Sequence, residues 1–198
     1  MSLKLSKAEL RNQQTRLQQF QRYLPTLQLK KAMLQFEVLA AVSEVTHLRS
    51  LFEEMRQQVE AFAPFFAEKV KIDLERLAEI RLVEKHYENI AGVEIPVLDR
   101  VLFTEESYSF FATPVWSDRA LELVRELALF REKLSVAEEK KRALEKELRD
   151  VSIRVNLFEK RLIPKAEEHI GRIRIFLGDQ QLAAVAQAKV AKAKLQRE

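Results

Sequence analysis

Cysteine is absent from this 198-residue chain, and glycine and proline are scarce, with three and five residues respectively. The lack of cysteine excludes disulfides and thiolate metal sites, and it allows a reducing compartment. Few glycines and prolines, together with 32% charged residues, favour long helices over a compact domain rich in turns.

Long apolar runs are also missing. No run approaches the ~20 residues that a membrane-spanning helix needs, and residues 1–10 lack the apolar core of a signal peptide. We therefore expect a soluble, cytoplasmic protein.

Recognisable catalytic motifs are missing as well. His47, His86 and His169 are scattered, with no second histidine or carboxylate at a ligand spacing, so we interpret each as a surface or packing residue. No glycine is followed by lysine, which excludes a phosphate loop. Because paired helices offer no pocket, we expect no catalytic residue, no cofactor and no metal site.

From Leu10 to Lys69, apolar residues recur at the alternating three- and four-residue spacing of a heptad repeat. Position a holds Leu10, Leu17, Leu24, Lys31, Val38, Val45, Phe52, Val59 and Phe66. Position d holds Gln13, Phe20, Leu27, Leu34, Ala41, Leu48, Met55, Phe62 and Lys69. A 3.5-residue period held for this length predicts a left-handed coiled coil.

A second heptad run lies near the other end of the chain. Its a positions are Leu127, Leu134, Lys141, Leu148, Val155 and Leu162, and its d positions are Phe130, Ala137, Leu144, Val151 and Phe158. After Leu162 the phase slips by one residue, and the pattern continues as Ile163, Ala166, Ile170, Ile173 and Leu177. Pro164 at this point predicts a bent or locally rewound helix.

Two arms of similar length predict an all-α dominated fold, a long antiparallel two-helix left-handed coiled coil with a short β-hairpin insert between the arms. In an approximate register, paired residue numbers sum to about 193. The expected parts are an N-terminal arm (1–70), a middle region with a short helix and the hairpin (71–116), and a C-terminal arm with a basic tail (117–198).

Several residues predict where the helices begin and end. Ser6 is expected to cap the first helix, with Glu9 completing a capping box. We expect this helix to continue through Pro25 and Pro64. Ser117 is expected to cap the second long helix, and Gly178 to interrupt it.

The middle region differs from both arms. Ile72, Leu77 and Ile80 predict a short helix. The segment Gly92, Val93, Ile95 and Pro96 is rich in β-branched residues and predicts a hairpin near residues 83–103, with Pro96 on an edge strand. A loop is expected through Thr113 and Pro114.

Positive charge collects at both ends of the chain. Residues 1–31 hold seven basic residues against one acidic, and residues 160–198 hold nine against four. Antiparallel arms would bring these ends together, which suits an acidic collar, nucleic acid or an anionic membrane, although solvated helix faces remain an alternative. The distal positive charges are Lys189, Lys192, Lys194 and Arg197. Lys31 and Lys141 occupy seam positions. Each either extends its ammonium group to water, or one of them binds a docked partner protein.

Three segments resemble a known family, the D subunits of V-type and archaeal-type ATPases/ATP synthases. Asn89 to Val97 is similar to its N-x-x-G-V-x-[IVL]-P segment. Arg154-Val155-Asn156-Leu157-Phe158-Glu159, followed by Ile163-Pro164, Glu167, Ile170 and Ile173, resembles its R-V-N-A-L-E…I-P…E…I-x-x-I block. Leu27, Lys30, Lys31 and Leu34 resemble its L-L-K-x-K-R-x-x-L run.

The resemblance implies a central rotor shaft, not an enzyme by itself, in a peripheral membrane complex. The implied partners are the nucleotide-binding A and B subunits, the small F subunit of the stalk and a membrane-rotor adaptor. The chain is then connected to the membrane only indirectly, through the complex. Asn156 and Glu159 then become candidate interface residues. Two other classes stay open, a coiled-coil adaptor or tether and a basic nucleic-acid binder. No nucleic acid is expected, because residues 182–197 contain no aromatic residue for base stacking.

Overall fold

In a computed structural model, the described residues are 3–62, 64, 76, 78–104, 114 and 116–195. The helices are α1 (Lys7–Phe62), α2 (Trp116–Leu157) and α3 (Ile163–Leu195), and a π-helical turn (Phe158–Leu162) joins α2 to α3. The strands are β1 (Ile80–Ile90) and β2 (Val93–Phe103). Long helices packed against each other, with a two-stranded antiparallel hairpin between them in the chain, confirm the predicted fold class.

The start of α1 is confirmed. The Ser6 hydroxyl accepts a hydrogen bond from the Glu9 amide at 3.2 Å, so it satisfies one of the free amides of the first turn. The Glu9 carboxylate, which would complete a capping box, instead accepts a hydrogen bond from Gln13 at 2.7 Å. That bond holds the pKa of Glu9 below its usual value.

Proline has different consequences at two places. Helix α1 continues through Pro25, as expected, but it ends at Phe62, so the prediction that it passes Pro64 is wrong. Proline favours a helix end here because it lacks an amide hydrogen and disfavours helical geometry in the residue before it, but Pro25 shows that it does not require one. The seam residues Phe66 and Lys69 lie outside the described residues.

Three further boundary predictions are wrong. Gly178 does not interrupt α3, which can carry a glycine at a cost of about 1 kcal/mol. Helix α2 begins at Trp116, so Ser117 is not its N-cap, and the Ser117 hydroxyl donates a hydrogen bond to the Pro114 carbonyl at 2.6 Å. Ile80 opens strand β1 instead of continuing a short helix. The other residues of that helix, Ile72 and Leu77, and Thr113 of the expected loop lie outside the described residues.

The chain divides into two compact units. The first unit consists of residues 1–31 and 150–198, and the second of residues 32–149. In the first unit, the buried side chains of the described residues are Gln13, Val151, Val155, Ala166, Ile170 and Ile173. In the second, they are Leu34, Ala41, Val45, Ala78, Ile95, Pro96, Ser117, Ala120, Leu121, Leu123, Val136, Ala137 and Leu144. In the two units together, most of the buried residues that belong to the long helices occupy positions of the predicted heptad seam.

Within each unit the helices are antiparallel, but the expected register is wrong. Arg49 pairs with Glu138, and Glu44 pairs with Lys140. The expected register would place Glu44 opposite Arg149, so the observed pairing is displaced by roughly one heptad. A heptad pattern buries the same positions after a seven-residue shift, and for this reason it does not select one register.

The hairpin extends three residues beyond its predicted start, to Ile80. Its two-residue turn has positive φ at both Ala91 (52°) and Gly92 (80°), as a type I′ turn requires. The Asn89 side-chain oxygen accepts a hydrogen bond from the Gly92 amide at 2.9 Å and so supports the turn. Pro96 lies opposite Tyr87 in the strand pairing.

Candidate functional site

The first candidate surface is the place where the hairpin docks on the helices of the second unit. A cleft between α1, β2 and α2 is lined by Glu44, Leu48, Pro96, Val97, Leu98, Lys133, Val136, Ala137 and Lys140. The Lys85 ammonium of β1 lies 3.4 Å from the Glu139 carboxylate of α2. The hairpin is therefore held by an apolar face of β2 and by an ion pair from β1.

The base of the hairpin is also fixed to α2. The Arg125 guanidinium donates a hydrogen bond to the Thr104 carbonyl at 3.1 Å, and it lies 5.4 Å from the centre of the Phe103 ring. The Thr104 amide donates to the Glu79 carbonyl at 3.0 Å, which closes the open end of the two strands. An isolated two-stranded hairpin is marginally stable in water, so these contacts support its position.

One face of the hairpin carries a charged network. The Arg100 guanidinium makes two hydrogen bonds to the Glu84 carboxylate, at 2.6 and 3.1 Å, and this contact holds the pKa of Glu84 below its usual value. The His86 ring nitrogens lie 3.2 Å from the Glu88 carboxylate and 2.7 Å from the Asp99 carboxylate. These carboxylates, Glu88 above all, accept hydrogen bonds from the protonated ring and so raise the pKa of His86 above the usual 6.5. His86 was expected only to be a surface or packing residue, and its pairing across the strands was not predicted.

Ion pairs between α1 and α2 flank the seam of the second unit. Lys140 lies 2.9 Å from Glu44, and Arg49 lies 2.7 Å from Glu138. In the heptad numbering, Glu44 and Lys140 both occupy position g, and Arg49 and Glu138 both occupy position e. Opposite charges at these positions are the sequence signal for such contacts, and they specify partner and orientation more than stability, because exposed pairs contribute only about 0.2–1 kcal/mol.

The predicted seam lysines are both half-buried. The Lys141 ammonium lies 3.7 Å from the Glu145 carboxylate one turn later on α2. Lys31 belongs to the first unit and Lys141 to the second. Their suggested part in binding a partner protein stays a prediction.

The other predicted interface residues are exposed in the first unit. Glu159 accepts a hydrogen bond from the Gln28 side chain of α1 at 2.5 Å, and Asn156 lies on the exposed side of α2. Lys189 and Lys192 are exposed on α3. The side chain of Lys194 and the whole of Arg197 lie outside the described residues. The interface roles of these residues stay predictions.

Large apolar side chains outside the seam also remain exposed. In the second unit, Phe36 and Leu39 of α1 are 71% and 68% exposed. In the first unit, Ile153 of α2 and Ile175 of α3 are also exposed. The signal was in the sequence, because these apolar residues occupy positions outside a and d.

The described residues include no group of three or more histidine, aspartate or glutamate side chains arranged to hold a metal ion. None of the helices in the described part of the chain combines the length and apolar character needed to cross a bilayer.

Comparison with known proteins identifies the family. The family model for the D subunit of ATP synthase matches residues 9–193. The V-type ATP synthase D subunit of Chlamydia felis is 45% identical over 195 residues, which cover 98% of this chain and 94% of the relative. The corresponding proteins of Chlamydia abortus and Chlamydia pneumoniae are 44% and 40% identical, and each match covers at least 98% of this chain and 94% of the relative. This chain therefore belongs to the family of ATP synthase D subunits.

Proposed function

We propose that this chain is the central-stalk rotor shaft of a rotary V/A-type ATP synthase/ATPase. It couples ATP synthesis or hydrolysis in a catalytic head to proton or sodium transport across a membrane. The observation that carries this proposal is a seam of antiparallel helices in each unit, on a chain that matches the D-subunit family across residues 9–193. The chain is non-catalytic, and ATP binds to other proteins of the complex.

Helix pairing suits a part that transmits torque. Each long helix satisfies its backbone hydrogen bonds internally, and buried seam residues such as Leu144 and Ile173 resist separation of the helices within their own unit. Ion pairs such as that of Glu44 with Lys140 resist sliding of one helix along the other. The paired helices of a unit therefore turn together when one of them is driven.

The proposed partners fall into three groups. The nucleotide-binding A and B subunits surround the basic end of the shaft, where the exposed Lys189 and Lys192 meet carboxylates. The small F subunit of the stalk covers exposed apolar helix faces, and a membrane-rotor adaptor contacts the second unit. We propose accordingly that the chain lies in the cytoplasm, peripheral to the membrane and joined to it through the complex.

The test is affinity purification of the chain from its native cell at low salt, followed by identification of the bound proteins. We expect nucleotide-binding ring proteins and a small stalk protein. A charge-matched control bait, another basic coiled-coil protein, separates specific partners from electrostatic background. Recovery of neither type of partner, with intact complex present in the same extract, would contradict the proposal.

A coiled-coil adaptor or tether with no link to ATP was the other interpretation of the heptads. The relatives named above give it no support, since all of them are V-type ATP synthase D subunits. A nucleic-acid binder would show binding to DNA that weakens steeply with salt, and the same purified chain can be tested for it.

A further inference from the structure

The π-helical turn Phe158–Leu162 is the one irregularity described within the helical segment 116–195. The Ile163 amide donates its hydrogen bond to the Phe158 carbonyl, five residues back, whereas an α-helix bonds four residues back. The turn therefore holds one more residue than an α-helical turn would. Such turns are rare, and they occur frequently at functional sites.

A neighbouring proline does not by itself explain the π turn. Pro164 lacks an amide hydrogen, and in a regular helix its ring would clash with the carbonyl four residues back. However, Pro25 lies within α1, and that helix remains α-helical from Lys7 to Phe62. The two proline sites differ in their seams, because the heptad phase continues past Pro25 and slips by one residue at Pro164.

The buried residues on either side of the turn show what the surplus residue does. Val151 and Val155 are buried before the turn. A heptad continued from them passes through Phe158 and Leu162 and would then bury Lys165, His169 and Arg172. The residues actually buried are each one position later, namely Ala166, Ile170 and Ile173. One residue corresponds to about 100° around a helix, so the π turn brings both sets of apolar side chains onto one seam.

Helix α1 holds the start of the turn. The Phe158 ring packs edge-on against the Phe20 ring, with the ring centres 5.4 Å apart. The Gln28 amide donates a hydrogen bond to Glu159 at 2.5 Å. The next two residues, Lys160 and Arg161, are exposed. The turn is thus held at one end and open to solvent at the other.

We propose that this turn is a twist-absorbing element within the first unit. Its surplus residue lets the five-residue hydrogen bond pass from one carbonyl of the turn to the next, while the seams before and after it stay packed. A small rotation of α3 about its own axis is then taken up in one turn, without loss of the buried contacts. Its use in a rotating shaft rests on the proposed function, but the element itself does not.

The test compares amide hydrogen exchange in the full chain and in a variant that lacks Lys160. The deletion removes the surplus residue and makes the heptad continuous from Val151 to Ile173. We expect amide exchange at residues 161–163 to slow several-fold in the variant. Exchange at the seam residues Val151 and Ile173 should stay as in the parent chain. Equal exchange in the turn of both proteins would overturn the proposal.

Two proline variants separate the effect of the surplus residue from that of the proline. Pro164→Ala keeps the surplus residue, so we expect the fast exchange at 161–163 to persist, as it should in the control Pro25→Ala. Slowing by Pro164→Ala to the level of the deletion variant would show that the proline makes the turn, and the proposal would fail.

A fourth variant guards against a deletion that fails to fold. Gln28→Ala removes the hydrogen bond to Glu159, and we expect faster exchange confined to the turn, with unchanged helix content by circular dichroism. No change in the turn would also count against the proposal.

The last measurement connects the element to rotation. In an assembled, stalled complex, a probe at the end of α3 should show a narrower angular fluctuation with the Lys160 deletion than with the parent chain. A chain that shows the exchange pattern but never assembles with the ring proteins would contradict the proposed function and leave the twist-absorbing element standing. Unchanged fluctuation in an assembled complex would overturn the element.

Discussion

At the scale of single residues, the hairpin turn contains one residue in an unfavourable conformation. Ala91 adopts a positive φ of 52°, which costs an L-residue with a Cβ roughly 1–2 kcal/mol. Gly92, at 80°, avoids this penalty because it lacks a Cβ. The favoured sequence for this turn type is Asn-Gly, so the chain departs from the optimum at its first position.

We therefore expect Ala91→Asn to stabilise the hairpin by about 0.5–1 kcal/mol, since asparagine tolerates a positive φ better than alanine. Gly92→Ala should act in the opposite direction. Amide exchange of β1 and β2 measures both effects. Destabilisation by Ala91→Asn would show that the turn depends on a contact of the alanine methyl group and not on φ.

His86 makes the hairpin sensitive to pH. Hydrogen bonds to Glu88 and Asp99 raise the pKa of its imidazole above 6.5 in the folded chain. A group whose pKa is raised on folding contributes stability fully below its unfolded pKa, and it loses that contribution as the pH rises through the folded value.

We expect the hairpin to open more readily at pH 8 than at pH 6, and His86→Gln to remove most of this difference. The histidine and both carboxylates are exposed, so the effect should be small and should shrink in high salt. Amide exchange of β1, corrected for the intrinsic effect of pH, measures it. An NMR titration that places the His86 pKa at or below 6.5 would contradict the prediction.

At the scale of elements, the seam carries the packing energy. Leu144 at a d position is completely buried, whereas Leu39 of α1, in the same unit, is 68% exposed. Replacing a buried leucine by alanine removes apolar contacts and leaves a cavity, and the cost is typically about 2–5 kcal/mol. The same replacement at an exposed site removes far less buried area.

Leu144→Ala is therefore expected to lower the free energy of unfolding by about 2–5 kcal/mol, and the matched control Leu39→Ala by less than about 1 kcal/mol. Urea unfolding followed by circular dichroism gives both values. Equal losses would mean that the helices do not use the predicted seam.

Register is the second property at this scale. Glu44 pairs with Lys140, and the register expected from the heptads would have paired it with Arg149. The two candidate partners lie nine residues apart on α2, which corresponds to about 13 Å along the helix.

The chain has no cysteine, so spin labels attach only to introduced cysteines. We expect a shorter distance between labels at positions 44 and 140 than between labels at 44 and 149. The reverse order in a pulsed electron paramagnetic resonance measurement would restore the register expected from the heptads alone.

At the scale of the whole molecule, charge is unevenly distributed along the sequence. The net charge is only +4, although residues 1–31 and 160–198 are both basic and belong to the same unit. A concentrated field of one sign attracts an oppositely charged partner and speeds its association, and salt screens it.

We expect simultaneous replacement of Lys189, Lys192, Lys194 and Arg197 by glutamine to leave helix content unchanged, because glutamine has a similar helix propensity. The quadruple change should nevertheless weaken assembly with the catalytic ring or reduce coupled ATPase activity, most strongly at low salt, whereas each single change should do little. Activity of the reconstituted complex across a salt series is the measurement. Parental activity at low salt would show that these charges only keep the chain soluble.

Local sequence patterns were enough to predict the main elements and most of the positions that are buried. Apolar residues at 3.5-residue spacing bury Leu34, Ala41, Leu144 and Val151, and the one-residue slip near Pro164 marks the place where the helix becomes a π turn. These are local properties, since the period of a pattern sets which side of a helix is apolar. The hairpin was also predictable from a local signal, namely Gly92 and its β-branched neighbours.

The register, the place where the hairpin docks and the end of α1 at Phe62 became known only from the folded chain. A heptad repeat is nearly unchanged by a seven-residue shift, so burial energy barely distinguishes neighbouring registers. The choice depends on contacts between residues distant in sequence, such as Glu44 with Lys140 and Lys85 with Glu139. Such pairs form only after both elements have been placed, because a charge at position e or g shows that a residue can pair but does not select its partner.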